Sequence, residues 1–223
     1  MFDFLFPKQD PNTNKYWKFV SQDTKSKLKT YEEVCYICKK TSENFKTHFY
    51  CKKDFSLEKV VVCFHYNDFL KKILLKFKYY HVRQIGYEIS QIMKNFFLIN
   101  LPTQNTVITF VPMHPIRKFF IKWYNQSEIL AKNLSTQLNL PLIKICKKIK
   151  YTKPQAKIKT RNQRLKNLQN SFSINQIKLP NNIKHIVIID DVITTWITLE
   201  EITKCIKQKY LQLKVYWLIL ARK

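Results

Sequence analysis

One glycine, Gly86, serves all 223 residues, where average usage would place about 15. A phosphate-binding turn that relies on glycine for close backbone approach has none to draw on outside position 86. Arginine is nearly as scarce: Arg83, Arg117, Arg161, Arg164 and Arg222 are the five among 40 basic residues. Acidic residues number only 15, which leaves a net charge of +25 and an isoelectric point of about 9.8. That balance suits polyanionic partners. The lysines are scattered, however, and Lys, Asn and Ile are abundant throughout, as an AT-rich genome produces, so the charge by itself reads as a solvated surface. No apolar run approaches the roughly 20 residues of a membrane span. The apolar start, residues 1–5, lacks the cationic beginning and long apolar stretch of a secretory signal. Six cysteines, two of them in a Cys-x-x-Cys pair, favour metal binding in a reducing compartment over disulfides. The expectation is a cytoplasmic protein without a membrane span.

What is present is organised around residues 185–199. His185-Ile186-Val187-Ile188-Ile189 reads as a buried parallel strand, with Asp190 and Asp191 at its C-terminal end. A hydroxyl-rich turn follows, and a helix begins near Thr198 with Glu200 and Glu201 in its first turn. Ligands of open α/β sheets sit outside the carboxyl ends of strands. A turn feeding a helix N-terminus suits a phosphate, and paired Asp beside it suit sugar hydroxyls or Mg²⁺. The plainer alternative is a strand ending in two solvated acids before a Thr-capped helix.

Upstream, a Lys- and Asn-rich arm extends to about position 29. Cys35-x-x-Cys38 and His48-x-x-Cys51 are two close pairs that could aim three sulfurs and an imidazole at one structural zinc; two buried thiols and an unrelated His is the competing account. Residues 60–66 read as a strand, 68–98 as helices separated near Gly86, 106–112 as a strand, 126–138 as an amphipathic helix, and 140–146 as a further strand. The polar, basic segment 147–170 lacks a hydrophobic period and reads as a lid or binding loop. A strand after position 213 ends the chain. Strands alternating with helices imply an α/β fold, a mostly parallel sheet flanked by helices, in residues 59–223. An arm and a small zinc-binding module occupy residues 1–58.

Taken in order, Cys35-x-x-Cys38, Pro112-x-His114-x-x-Arg117, Tyr124-Asn125-Gln126-Ser127-Glu128, Thr152-x-x-Gln155, Arg164-x-x-Asn167-x-x-x-x-Phe172, Asp190-Asp191-x-x-Thr194-Thr195 and Leu220-Ala221-Arg222 resemble the ComF family. These are competence-associated proteins similar to type I phosphoribosyltransferases. The resemblance implies a site for phosphoribosyl pyrophosphate (PRPP) with Mg²⁺. Thr194, Thr195, Trp196, Ile197 and Thr198 would cradle the 5′-phosphate, and Asp190 and Asp191 would act as the catalytic carboxylates at the ribose. His114 and Arg117 would face the pyrophosphate, with Lys153, Arg161 and Arg164 closing over it. Structural Zn²⁺ would sit on Cys35, Cys38, His48 and Cys51. A rival expectation is a non-catalytic protein that keeps the fold and contacts single-stranded DNA or a competence helicase.

Three departures from the family pattern stand out. A further cysteine set has Asp10, Thr13, Ser21 and Thr24 at the comparable positions, which implies loss of that metal site. Trp123 and Trp196 occupy family glycine positions. Some lineages read UGA as glycine and others as tryptophan. With one glycine in the chain, Trp123 and Trp196, and by extension Trp17 and Trp217, read as glycine codons.

Overall fold

Four runs rich in β-branched and aromatic residues form the central sheet of this computed structural model, which describes residues 9–15, 18–52, 57–79, 82–116, 124–152 and 160–223. In chain order the elements are α1 (Gln22–Ser26), β1 (Lys59–His65), α2 (Asp68–Tyr79), α3 (Val82–Asn100), β2 (Thr106–Phe110), α4 (Gln126–Leu138), β3 (Cys146–Lys148), α5 (Arg161–Leu168), β4 (Phe172–Ile174), β5 (His185–Ile193), α6 (Ile197–Lys209) and β6 (Lys214–Arg222). The sheet runs β1-β6-β5-β2, every neighbouring pair parallel, with Ile108 opposite Val187 and Ile189 opposite Leu218. Thr30 bridges Phe64 at one edge and Leu142 bridges Ile108 at the other, so neither edge is left bare. Strands β3 and β4 pair antiparallel, apart from this sheet.

Because side chains alternate across a strand, each strand feeds two cores. Val61, Ile108, Val187, Ile189 and Leu218 pack with Leu70, Phe77, Ile89, Met93, Leu130 and Leu134 of α2, α3 and α4. Val60, Val107, Ile186, Ile188 and Ile219 pack with Leu168, Ile202 and Ile206 of α5 and α6 and with Phe172 of β4. The α/β expectation of a mostly parallel, helix-flanked sheet is therefore met. Among the described residues no helix is long and apolar enough to cross a membrane.

Some local expectations shift. Gly86 lies inside α3 rather than between two helices. A Cβ there would come within 2.8 Å of Ile129 and 3.0 Å of Phe77, so glycine lets three helices meet. Segment 147–170 begins in β3 and continues into the connection from β3 to β4, which carries α5, whose cap Thr160 accepts from the Gln163 amide at 3.3 Å. Strand β3 starts only at Cys146, and residue 142 contributes a single bridge.

The arm is ordered where described. Buried Asp10 accepts the Asn12 amide at 2.8 Å and the Ser21 amide at 2.6 Å. Thr13 and Ser21 hydroxyls lie 3.2 Å apart, and Ser21 Oγ caps α1 by accepting from the Thr24 amide at 3.3 Å. The four positions that resemble a lost cysteine set thus converge on one carboxylate. Glu88 then anchors the arm to α3 by accepting the Phe19 and Val20 amides at 3.0 and 2.9 Å.

Burial opposes ionisation of Asp10, but the Asn12 amide, the Ser21 hydroxyl and amide and the Thr24 hydroxyl outweigh it and hold its carboxyl below the usual value. A depressed folded-state value means that ionised Asp10 contributes stability above the unfolded value near pH 4. That contribution is lost as pH falls through the folded value. Asp10→Asn should cost about 1–3 kcal/mol at neutral pH and flatten the stability decline below about pH 4. Denaturant unfolding across a pH series checks this; parallel declines in the two proteins would contradict it.

Candidate functional site

Strand β2 pairs with β5 only as far as Phe110 opposite Ile189, followed by the Val111 amide on the Ile189 carbonyl at 3.1 Å. Beyond that point β5 continues through Asp190 and Asp191 to Ile193, paired with β6 alone. The two acids are therefore strand residues rather than the start of a loop. After β2 the chain passes to α4 on one face; after β5 it passes to α6 on the other. Such a switch between adjacent parallel strands opens a crevice at their carboxyl ends.

The crevice encloses about 190 Å³ and is lined by Asp190, Asp191, Pro112, Met113, His114, Asn125, Ser127, Lys148 and Thr152, among others. Asn125 occupies the N-cap position of α4 without capping it; its amide instead donates to the Val111 carbonyl at 2.8 Å and ties the loop after β2 to the helix. Ser127 Oγ donates to Asp190 Oδ1 at 2.8 Å, and the Asp191 amide donates to the same oxygen at 3.0 Å. Burial first, then the charge of Asp191, push the Asp190 carboxyl well above the usual range, while those two donors pull the other way. Adjacent carboxylates in a polar, partly enclosed crevice form a donor set that fits a hard divalent cation such as Mg²⁺ or the hydroxyls of a sugar. The His114 ring accepts the Ile116 amide at Nδ1, 3.3 Å away, and meets Tyr151 edge-on with centroids 5.6 Å apart.

The hydroxyl-rich turn faces a different space. Thr194, Thr195, Trp196 and Ile197 line a pocket of about 370 Å³ together with Tyr36, Ile37, Lys39, Glu200 and Arg222. Thr198 sits in the first turn of α6, where amides lack intrahelical partners. Lys39 Nζ lies 4.0 Å and Arg222 Cζ 4.6 Å from the centre of the Trp196 indole, and the Tyr36 ring meets that indole edge-on at 6.1 Å. Lys39 is exposed as a whole, but partial desolvation of its ammonium, then neighbouring Arg222, lowers it to about 8. The predicted sugar-phosphate residues are thus divided: the acids and His114 share the crevice, and the threonine turn lies in the adjoining pocket. Arg117 and Lys153, with Trp17 and Trp123, lie outside the described residues, while Arg161 and Arg164 belong to α5. Trp196 has φ −70°, and Trp217 is fully buried with Nε1 donating to Thr203 Oγ1 at 3.2 Å. Neither backbone position demands glycine.

Sequence reasoning missed Lys39 at the turn and Lys148 at the crevice; Arg222 stood in the terminal Leu220-Ala221-Arg222 motif without a role at the turn. Ser127 stood within a quoted motif but without a role. A lysine straight after Cys-x-x-Cys was the available signal for Lys39.

The metal ligands come together as expected. One ligand atom from each of Cys35, Cys38, His48 and Cys51 lies within 4.8 Å of all the others, near the roughly 3.7 Å edge of a tetrahedron with Zn–S bonds of about 2.3 Å. His48 Nε2 is 3.1 Å from the Thr41 carbonyl, which can only accept, so Nδ1 is left as the ligand atom. Cys38 Sγ is 3.2 Å from that Nδ1. Burial raises the Cys35 thiol, yet amides of Cys38, His48 and Ile37 bring it below its ordinary value, whereas desolvation and then hydrogen bonds with the Cys38 and Cys35 sulfurs push the Cys51 thiol up to about 11. The residues fit zinc. Purified protein should carry one zinc per chain by atomic emission. Cys38→Ser should lose it and lower the melting midpoint by several degrees; an unchanged midpoint in metal-free protein would contradict a structural role.

No family model matches the chain. A protein from Haemophilus influenzae named Competence protein F is 30% identical to it over 165 residues, an alignment spanning 70% of this chain and 70% of the relative.

Proposed function

The chain belongs to the competence-associated ComF family, and on that premise we propose that its crevice binds PRPP with Mg²⁺ on a type I phosphoribosyltransferase-like fold. The observation that carries the proposal is the placement of Asp190 and Asp191 at the switch between β2 and β5, with the loop after β2 and the start of α4 forming the opposite wall. Asp190 and Asp191 would address the ribose hydroxyls, directly or through Mg²⁺, which when bound would offset phosphate charge. Backbone around Pro112 and His114 would face the pyrophosphate, aided by Arg117. Residues 194–198 would take the 5′-phosphate, and the β3–β4 insertion, with Lys153, Arg161 and Arg164, would close over the reactants.

Phosphoribosyl transfer breaks the bond between the anomeric carbon and pyrophosphate oxygen as an acceptor bonds to that carbon. Pyrophosphate leaves with the electron pair, and the acceptor gives up a proton. The transition state is oxocarbenium-like, so orientation and charge stabilisation carry the catalysis. Ser127 helps here by fixing one oxygen of Asp190.

A second reading, a non-catalytic contact with single-stranded DNA or a helicase, draws on Phe49 and Tyr50. They are 93% and 71% exposed on the metal-binding loop, in a stretch that also carries Lys46 and Lys52, and exposed aromatics among cations suit stacked bases. Titration calorimetry separates the readings. PRPP with Mg²⁺ should bind wild-type protein, and the double change Asp190→Asn with Asp191→Asn should abolish binding. Undiminished affinity in the double variant would refute the assignment, and salt-sensitive DNA binding without PRPP affinity would favour the second reading.

A further inference from the structure

We propose that Lys39, delivered by the metal-binding loop, and Arg222, delivered by the end of β6, are the cationic walls of a phosphate-monoester site at the 194–198 turn, and that the Trp196 indole closes this site. The inference deepens the sugar-phosphate reading of the crevice and rests on it. Nothing in the family resemblance assigns a role to either cation.

The pocket is a separate cavity of about 370 Å³, and one carboxylate, Glu200, lines it against two cations. Both cations come to the same indole, Lys39 Nζ at 4.0 Å from its centre and Arg222 Cζ at 4.6 Å. An aromatic face attracts cations only weakly compared with an anion, so the indole is a poor substitute for the charge this pair would take. Thr195 Oγ1, on the same turn, is buried without a hydrogen-bond partner among the described residues. The turn leads into α6, a 13-residue helix. Two cations thus converge on the indole that borders the turn.

Lys39 is held by the metal-binding loop, and Arg222 by strand pairing on both sides, Ile193 just before the turn being one of its partners. Lys39 follows Cys38 directly, with φ 64° and its amide on the Cys35 carbonyl at 2.9 Å, so the loop that could hold zinc also aims the ammonium. Arg222 pairs opposite His65 and donates to the Tyr31 hydroxyl. The position of the metal-binding module against the turn follows from this: it completes a site the α/β domain has only in part.

The ligand chemistry is a phosphate dianion. A sugar 5-phosphate and a nucleic-acid backbone both supply phosphate, and the proposal commits to the monoester. The test is calorimetry on zinc-loaded, full-length protein with ribose 5-phosphate as one probe and an unphosphorylated oligodeoxynucleotide as the other. Trp196→Gly should bind ribose 5-phosphate at least about tenfold more tightly than wild type, since the indole no longer competes. Adding Lys39→Ala or Arg222→Ala should each cancel about tenfold or more, whereas Lys39→Arg should retain binding within a few fold. Zinc content and melting midpoint confirm that each variant is folded. Equal ribose 5-phosphate affinity with and without Lys39→Ala would overturn the proposal. So would a Lys39 dependence seen only with the oligodeoxynucleotide. The outcome is separable from that of the crevice: the Asp190 and Asp191 variants report on PRPP at the strand tips, the Lys39 and Arg222 variants on the monoester at the turn.

Discussion

The crevice exists because β2 and β5 part company after Phe110 and Ile189. The Asn125 side-chain amide on the Val111 carbonyl ties the departing chain to the start of α4. Strand β5 meanwhile keeps its register with β6 through Ile193. Its side-chain alternation does not survive that far. Val187 and Ile189 face the first core, yet Val192 packs there as well, and Ile193 joins the second. The slip falls between Ile189 and Val192, at the two acids. A buried carboxylate needs hydrogen bonds to remain in place, and Ser127 of α4 and the Asp191 amide provide them. The helix that follows β2 therefore holds the acid that lines the gap left where β2 departs.

Charge is sorted across this end of the sheet. Two carboxylates lie on the β2 side of the β5 tip, and two cations lie beyond the turn, against the metal-binding loop. Neither pair neutralises the other. In each, like charges work against ionisation: Asp191 raises Asp190 after burial has done the same, and Arg222 adds to partial desolvation in lowering Lys39. Arrangements of this kind cost folding stability and are found where a ligand supplies the missing charge. A sugar phosphate carrying Mg²⁺ has both signs in the needed order, cation and hydroxyls at the acids, phosphate at the cations.

Residues whose meaning is local were legible in the sequence. The β-branched run before Asp190, the turn after it and the paired spacing of Cys35, Cys38, His48 and Cys51 each declare themselves within about 17 residues, because strand burial and metal geometry impose short-range patterns. Helix α5 was not legible, since Arg161–Leu168 is almost wholly polar and Leu168 alone of its described side chains is buried in a core. Gly86 was read as a separator of helices because glycine signals freedom in a sequence, whereas inside α3 it signals crowding by Phe77 and Ile129. The convergence of Asp10, Thr13, Ser21 and Thr24 could be anticipated only as four positions; that they form one hydrogen-bonded cluster depends on how the arm folds back. Lys39 and Arg222 stand 183 positions apart; Arg222 belonged to a terminal motif, but only packing brings it to the same indole as Lys39.

Scarcity of glycine bears on the backbone less than on reach. Among the described residues seven have left-handed φ, and five of them are asparagines: Asn14, Asn44, Asn105, Asn139 and Asn170. Asparagine tolerates that region better than any other side chain that must carry a Cβ, so the chain makes its tight turns without glycine. The two exceptions are informative. Phe45 has its ring buried in the first core, where packing can offset the strain. Lys39 has no such compensation from burial in a core, and a left-handed lysine costs about 1–2 kcal/mol. Strain of that size persists where surrounding structure over-determines a residue, often at a binding site. Here the Cys35–Cys38 loop imposes the backbone, and the side chain reaches the indole that covers the threonine turn. A glycine would relieve the turn but deliver no charge, which is a physical reason for a lysine to occupy the position.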